Sequence, residues 1–159
     1  MSTFLRSIEF LCLSLWLGGD VFLSFVVAPG AFAVLPGRDV AGSMVGYALG
    51  RLHIWAMVCG VIFLVARVIR TRSLGSLVAP VAVVVVLMLA LTAYSQLGVS
   101  ARLGRLRAEM GSVQSTPVES PLRREFDRLH RVSVMIESGV LLSGMAAVYF
   151  LAREMAARP

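Results

Sequence analysis

The stretch LVAPVAVVVVLMLALTAYSQL, residues 77–97, decides the class of fold, because it contains no Asp, Glu, Lys or Arg. A helix needs about 20 consecutive apolar residues to cross a bilayer core of about 30 Å. Three further apolar runs of similar length, each of which contains ionisable residues, lie outward from it, at residues 8–28, 45–66 and 132–151. The sequence therefore predicts one all-α domain over residues 1–159, an antiparallel bundle of four transmembrane helices.

The composition of the whole chain points to the same environment. Hydrophobic residues make up 58% of it and charged residues 15%, against about 45–50% and about 25% in soluble domains. All 15 basic residues are arginines, the net charge is +6, and most of them flank the apolar runs, where they meet lipid phosphates. We therefore expect the lipid bilayer as a partner and no nucleic acid.

The sequence lacks the short motifs that indicate common enzyme chemistry. It has no phosphate-cradling glycine loop, H-E-x-x-H, G-x-S-x-G or C-x-x-C. Cys12 and Cys59 both fall inside apolar runs, which is typical of small apolar fillers rather than of a structural disulfide. We therefore expect a non-enzymatic protein with no catalytic residue, no metal site and no cofactor.

The connection over residues 98–131 is the only long one. Within it Leu103, Leu106 and Met110 recur at helical spacing among arginines, which predicts a short amphipathic helix on the membrane surface. The alternative is that this segment extends the third span into water. Ser120 followed by Pro121 predicts the start of a helix that continues into the fourth span.

Ionisable residues inside the spans converge at one depth. We call the end of the bundle that holds both chain termini the near end, and the opposite end the far end. At 1.5 Å per residue, Asp20, His53 and Glu137 lie roughly 8–12 Å below the far interface. Arg51 and His130 lie nearer the surface, at the mouth of this cluster. Members of the third span at a similar level are Tyr94, Ser95 and Gln96.

Three interpretations of this polar cluster stay open. A charge at membrane depth costs at least about 2.5–3.5 kcal/mol, so such groups face the interior and mark ligand, ion or proton sites. The same network also serves to fix the register of the helices, as polar residues do in membrane bundles. The third interpretation is ligation of haem or a metal by His53 and His130.

Two further patterns have plainer interpretations. Glu9 and Arg67 both lie near the near edge of the membrane and predict an ion pair between the first two helices. Small residues at a spacing of four let helix backbones approach closely, and we expect helix packing inside the monomer at such positions, with a homo-oligomer as the alternative. These positions are Gly42, Gly46 and Gly50 before and in the second span, and Gly139 and Ser143 in the fourth.

Several stretches resemble the transmembrane protein 205-like family. Trp16-Leu17-Gly18-Gly19 followed by the residues 22–26 is similar to the family's first helix, and the turn at Leu35-Pro36 also fits. Phe126, His130 and Ser133, with a polar residue at 137, match a pattern of the fourth helix, although the family usually has Asn where this chain has Glu137. The resemblance covers most of the chain and implies a four-helix integral membrane protein without a settled activity.

These observations support a leading hypothesis and two rivals. The leading one is a multi-pass membrane protein that binds or passes a small polar solute, an ion or a proton at Asp20, His53 and Glu137. The rivals are a haem- or metal-binding oxidoreductase subunit and a structural or partner-binding subunit. The composition suggests a bacterial inner membrane, and Arg6 together with the cluster at 67–72 favours cytoplasmic termini.

Overall fold

The computed structural model describes residues 2–156, and these residues are all-α. Four helices are long and apolar enough to cross a membrane, which confirms four candidate spans. Met1 and residues 157–159 of the predicted domain lie outside the described part. In chain order the elements are α1 (Ser2–Phe22, the π-helical turn Leu23–Val27, and Ala28–Val34), α2 (Arg38–Thr71), the 3₁₀ turn Leu74–Val78, α3 (Pro80–Tyr94, the π-helical turn Ser95–Ser100, and Ala101–Met110) and α4 (Pro121–Ala156).

The helices extend beyond the apolar runs that predicted them. α2 is 34 residues long, with Asp39 in its first turn and Arg70 in its last turn. An acid near a helix N-terminus and a base near its C-terminus are both favoured by the helix dipole. α4 begins at Pro121, which confirms the start predicted from Ser120-Pro121. The polar extensions of these two spans are therefore helical and not irregular.

The long connection is shorter than the sequence predicts, because the third helix does not end at residue 97. α3 continues through its π-helical turn to Met110, and the next residue, Gly111, has a φ of 69°. Leu106 is fully buried, and this part of α3 packs against α4. Residues 101–110 are therefore helical as the continuation of the third span, which was the alternative, and not as a separate amphipathic helix.

The π-helical turn of α1 has a cause in the sequence. Pro29 lacks an N–H group, and inside a helix its ring collides with the carbonyl four residues earlier. The turn Leu23–Val27 widens the helix directly before this proline, as helices commonly do at such an obstacle. The first span therefore runs on to Val34 and does not stop at Ala28.

Packing joins α1 mainly to α2, and α3 mainly to α4. The buried core between them contains Trp16, Phe63, Met88 and Val140. The outward surface is also apolar, with large side chains such as Phe25 and Trp55 exposed by 69% and 66%. An apolar exterior around an apolar core is what a protein solvated by lipid requires.

A hydrogen-bonded loop closes the far end. The carboxylate of Asp39 accepts from Ser112 Oγ at 2.5 Å and from the backbone N–H of Val113 at 3.0 Å. The Arg107 guanidinium donates to Ser43 Oγ at 2.7 Å and lies 5.6 Å from the centre of the Phe126 ring. These contacts tie the start of α2 to the end of α3 and to α4.

Asp39→Ala should release this loop. Removing the acceptor of several hydrogen bonds leaves their donors in the loop without that partner, so we expect faster cleavage within residues 111–120 by a nonspecific protease. Cleavage is measured by mass spectrometry on the detergent-purified protein. The control is Glu119→Ala, because Glu119 is an exposed residue of the same loop. Equal cleavage rates for the two variants would contradict the role given to Asp39.

Candidate functional site

A buried polar cluster joins the far halves of three helices. His53 of α2 is 1% exposed, and its Nε2 lies 2.8 Å from Glu137 Oε1 of α4. Its Nδ1 lies 2.9 Å from Gln96 Oε1 of α3. Ser95 donates its hydroxyl to the same Glu137 oxygen at 3.0 Å. The structure thus brings together His53 and Glu137, as the depth argument expected, and adds two polar residues that the sequence placed only at a similar level.

The protonation of His53 and the orientation of Gln96 depend on each other. A neutral imidazole carries one N–H, whereas an imidazolium carries two. If Gln96 presents its oxygen and Glu137 is ionised, both ring nitrogens donate and His53 is a cation beside the Glu137 carboxylate. If the amide is turned end for end, its NH₂ group donates to Nδ1 and His53 is neutral. The cluster can therefore hold or release a proton through rotation of the Gln96 amide, without a shift of the helices.

Asp20 of α1 is the third ionisable member of the cluster. It is 6% exposed, and its Oδ2 atom has no hydrogen-bond partner among the described residues. It lies within Coulombic range of both Glu137 and His53. A buried carboxylate oxygen without a hydrogen-bond partner costs free energy in an apolar interior. Of the three ionisable members, Asp20 would therefore be stabilised most by a proton or another positive charge.

Helix register places Asp20 deeper than Glu137. A Cβ at Gly144 of α4 would lie 2.8 Å from Leu17 of α1 and 3.4 Å from Met88 of α3, so these three residues share a level. Asp20 follows Leu17 by three residues, whereas Glu137 stands seven residues from Gly144. At 1.5 Å per residue, Asp20 therefore lies about one turn closer to the membrane centre than Glu137 does.

The second π-helical turn positions the two polar residues of α3. It begins at Ser95 and includes Gln96, and such turns occur frequently at functional sites. Gly50 of α2 faces this turn, because a Cβ there would lie 3.8 Å from the Gln96 amide. A larger side chain at position 50 would press on the amide that contacts His53.

Arg51 and His130 do not join the cluster. Both are exposed, and neither forms a hydrogen bond or ion pair to it within residues 2–156. The His130 ring stacks against Phe126, with centroids 6.3 Å apart. Arg51 precedes His53 by two residues, which at 100° per residue places it on nearly the opposite side of α2. In the described part of the chain, no three His, Cys, Asp or Glu side chains are grouped to hold a metal ion.

A second charged network lies at the near end, on the other side of the apolar core. The Arg70 guanidinium binds the Glu9 carboxylate through two contacts, of 2.5 and 3.0 Å. Arg67 Nη1 stands 3.5 Å from Glu9 Oε2, and Arg67 Nη2 donates to Glu154 at 2.6 Å. The structure thus brings Glu9 and Arg67 together, and adds Arg70 and Glu154 as stronger partners.

The predicted small-residue positions differ in their surroundings. A Cβ at Gly42 would collide with the Arg107 guanidinium, at 2.9 Å, whereas a Cβ at Gly46 would meet nothing within 4 Å. Gly139 approaches Leu91 at 3.9 Å, and Ser143 is half-buried. The closest approaches, apart from that at Gly42, occur instead at Gly19, against Leu52, at Gly60, against Trp16 and Leu89, and at Gly144. The spacing of small residues within one helix does not predict these close approaches, because each depends on a large side chain of the neighbouring helix.

Comparison with known proteins places the chain in a family but not in a function. No curated protein and no solved structure matches the chain significantly. A family model matches residues 11–112; this range contains Asp20, His53 and Gln96 but ends before Glu137. The resemblance to the transmembrane protein 205-like family stays a prediction. Because the match covers more than half of its length, the chain belongs to the DUF4149 family, a domain of unknown function.

Proposed function

We propose that the protein is a multi-pass membrane protein whose buried cluster of Asp20, His53 and Glu137 binds and releases a proton. The observation that carries the proposal is the pair of contacts on His53, to Gln96 at 2.9 Å and to Glu137 at 2.8 Å. This geometry accommodates both protonation states of the ring. Asp20 adds a second buried acid, and its Oδ2 atom has no hydrogen-bond partner among the described residues.

Burial makes proton binding the chemistry best supported at this cluster. Two carboxylates and one imidazole in an apolar environment cannot all remain charged without a net negative charge, which is costly there. A proton removes that charge and needs no room. Intramembrane ionisable groups that face the interior are a recurrent feature of proton relays. The side chain of Glu137 is 19% exposed, whereas that of His53 is 1% exposed, which supports Glu137 as the member through which a proton enters and leaves.

The rival redox function lacks comparable support in the geometry. Both ring nitrogens of His53 already contact side chains, and His130 is exposed and stacked on Phe126. A partner-binding or homo-oligomeric function would use the open surface at Gly46, and no contact in the described chain favours it over the proton site.

The proposal also covers the topology of the bundle, its membrane and its kinship. The turns at 35–37 and 72–79 are short, which supports four spans that alternate in direction as an antiparallel bundle. The arginine content supports a bacterial inner membrane, and the arginine cluster at residues 67–72 supports cytoplasmic termini. The motifs around Trp16 and His130 support kinship with the transmembrane protein 205-like family.

Infrared difference spectroscopy tests proton binding directly. Between acidic and alkaline buffer, the purified protein should show the C=O band of a protonated, buried carboxyl group. Asp20→Asn or Glu137→Gln should remove or shift this band. Glu119→Gln, in the exposed loop, should leave it unchanged. Superimposable difference spectra for the wild type and both cluster variants would overturn the proposal.

Asp20→Leu should raise stability rather than lower it. Leucine has a similar shape, and its substitution removes a buried oxygen without a partner, which relieves about 1–3 kcal/mol. A gain in stability when a side chain is replaced is typical of functional residues, which are retained although they lower the stability of the fold. The apparent melting temperature in mild detergent measures it, with Glu119→Leu as the control. A lower melting temperature would instead assign Asp20 to holding the helices in register.

A further inference from the structure

An apolar groove opens on the outer surface at the near end, between the last turns of α2 and the first half of α3. Its volume is about 350 Å³, and its wall includes Leu64, Val68, Ile69, Leu74 and Val86. No polar atom of the described chain contributes to the surface of this wall. The groove therefore has the size of a small-molecule site but accepts only hydrocarbon along its length.

The groove descends from the membrane edge toward its centre. Its lining on α2 begins at Ile69, close to the helix end at Thr71, and reaches Leu64. At 1.5 Å per residue, this lining extends roughly 8 Å down the helix. Val86 continues the wall within the most apolar part of α3. Because the surrounding helices are apolar enough to cross a bilayer, the solvent at this depth is the acyl chains of lipids.

An arginine lies in the chain next to the residues that line the shallow end of the groove. Arg72 lies in the chain between the lining residues Ile69 and Leu74, and it is exposed. It takes part in no ion pair within residues 2–156, whereas its neighbour Arg70 is bound to Glu9. Arg72 also has a φ of 54°, at the end of α2 where glycine is the usual residue. Because Arg72 directly follows the last residue of a span-length helix, Thr71, its exposed charge is available to the headgroup of a lipid whose chain occupies the groove.

We propose that this groove and Arg72 form a binding site for an anionic phospholipid. One acyl chain lies along the apolar wall, and the phosphate of the headgroup contacts the guanidinium of Arg72. The hydroxyl of Ser73, whose oxygen already accepts from the N–H of Gly75 at 3.1 Å, is placed to donate to the same phosphate. The charge of Arg72 selects an anionic headgroup, while the wall accepts the chain of any phospholipid.

Native mass spectrometry tests the site on the full chain. The delipidated protein in a neutral detergent is titrated with phosphatidylglycerol or with phosphatidylcholine carrying the same acyl chains. We expect a preference of about fivefold for phosphatidylglycerol, the effect of one arginine near anionic lipid. Arg72→Gln should abolish the preference and keep the binding of both lipids. Val65 also belongs to the wall of the groove, so Val65→Trp should fill the groove and weaken the binding of both lipids.

Matched controls lie on other faces of the molecule. Arg105→Gln removes an exposed arginine at the far end, and Leu142→Trp enlarges an exposed residue of α4. Both should bind the two lipids as the wild type does. Equal affinity of the wild type for the two lipids would overturn the proposal, as would a preference that persists in Arg72→Gln or a dimer in place of lipid adducts. The site is independent of the proton-binding cluster, because the two lie at opposite ends.

Discussion

Glu9→Ala should lower the free energy of unfolding by about 3–5 kcal/mol, the usual effect of removing one partner from a buried ion pair. Glu9 is 0% exposed, and it is the shared counter-charge of two buried guanidinium groups. Without it, Arg70 loses both of its contacts to carboxylate oxygens, and Arg67 keeps only Glu154 and the carbonyl of Ser76. An uncompensated cation would then stand between helices in an apolar surrounding.

The apparent melting temperature in mild detergent measures this loss. We expect a decrease of about 10 °C, by the usual relation between free energy and melting temperature for a chain of this size. Glu154→Ala should have a smaller effect, because its side chain is 31% exposed and it contacts only Arg67. Glu119→Ala in the exposed loop controls for the loss of a carboxylate as such. Equal melting temperatures for the Glu9 and Glu119 variants would contradict the prediction.

A double variant separates the missing charge from the missing volume. In Glu9→Ala/Arg70→Leu, one of the two stranded cations is also removed, so part of the lost stability should return. If the melting temperature decreases further, the packing of the Arg70 side chain outweighs its charge. This network lies at the end of the molecule opposite the polar cluster, so the infrared band of the cluster should persist in these variants.

Depth along the spans could be predicted from the sequence, but direction around each helix could not. His53 and Glu137 meet, with Asp20 about one turn deeper, because their distances from the span ends are similar and distance along a helix is fixed at 1.5 Å per residue. Arg51 has nearly the same depth as His53 but points to nearly the opposite side of α2. An apolar run that faces lipid outside and core inside carries no amphipathic pattern from which this direction could be inferred.

His130 shows a second limit of the same argument. It shares a helix face with Glu137, since the two are seven residues apart. Two turns of α4 nevertheless separate them by about 10 Å, and at that level the ring is stacked on Phe126. At the near end, Arg70 follows Arg67 by three residues and shares its face, so the spacing would have sufficed to predict both contacts to Glu9.

The glycines show that a contact between two helices cannot be predicted from the sequence of one helix alone. Gly42, Gly46 and Gly50 have the regular spacing that predicts close packing, yet a Cβ at Gly46 would meet open space. Gly60 belongs to no run of glycines at that spacing, and its neighbours are a ring from α1 and an aliphatic side chain from α3. The identity of the opposing side chain decides which glycine is required, and one helix sequence does not contain it.

Gly60→Val should therefore destabilise the protein by about 3 kcal/mol or more, at the upper end of the effect of overpacking a core. The new Cβ would lie 2.7 Å from Trp16 Cζ3 and 2.7 Å from Leu89 Cδ2. Leu89 can rotate away, but the Trp16 ring is 2% exposed and stands in the core beside Phe63 and Met88. Relief requires α1 and α2 to separate, and these two helices form a principal packing pair of the fold.

Gly46→Val is the matched control, because it adds the same β-branched side chain to the same helix with nothing within 4 Å. Gly144→Val should fall between the two, since its nearest neighbour at 2.8 Å is the flexible end of the half-buried Leu17. The melting temperatures of the three variants should therefore rank Gly46, Gly144, Gly60 in decreasing order. A larger loss at Gly46 than at Gly60 would mean that the exposed stripe packs against a second copy of the chain. Loss of oligomer mass in Gly46→Val alone would identify that contact directly.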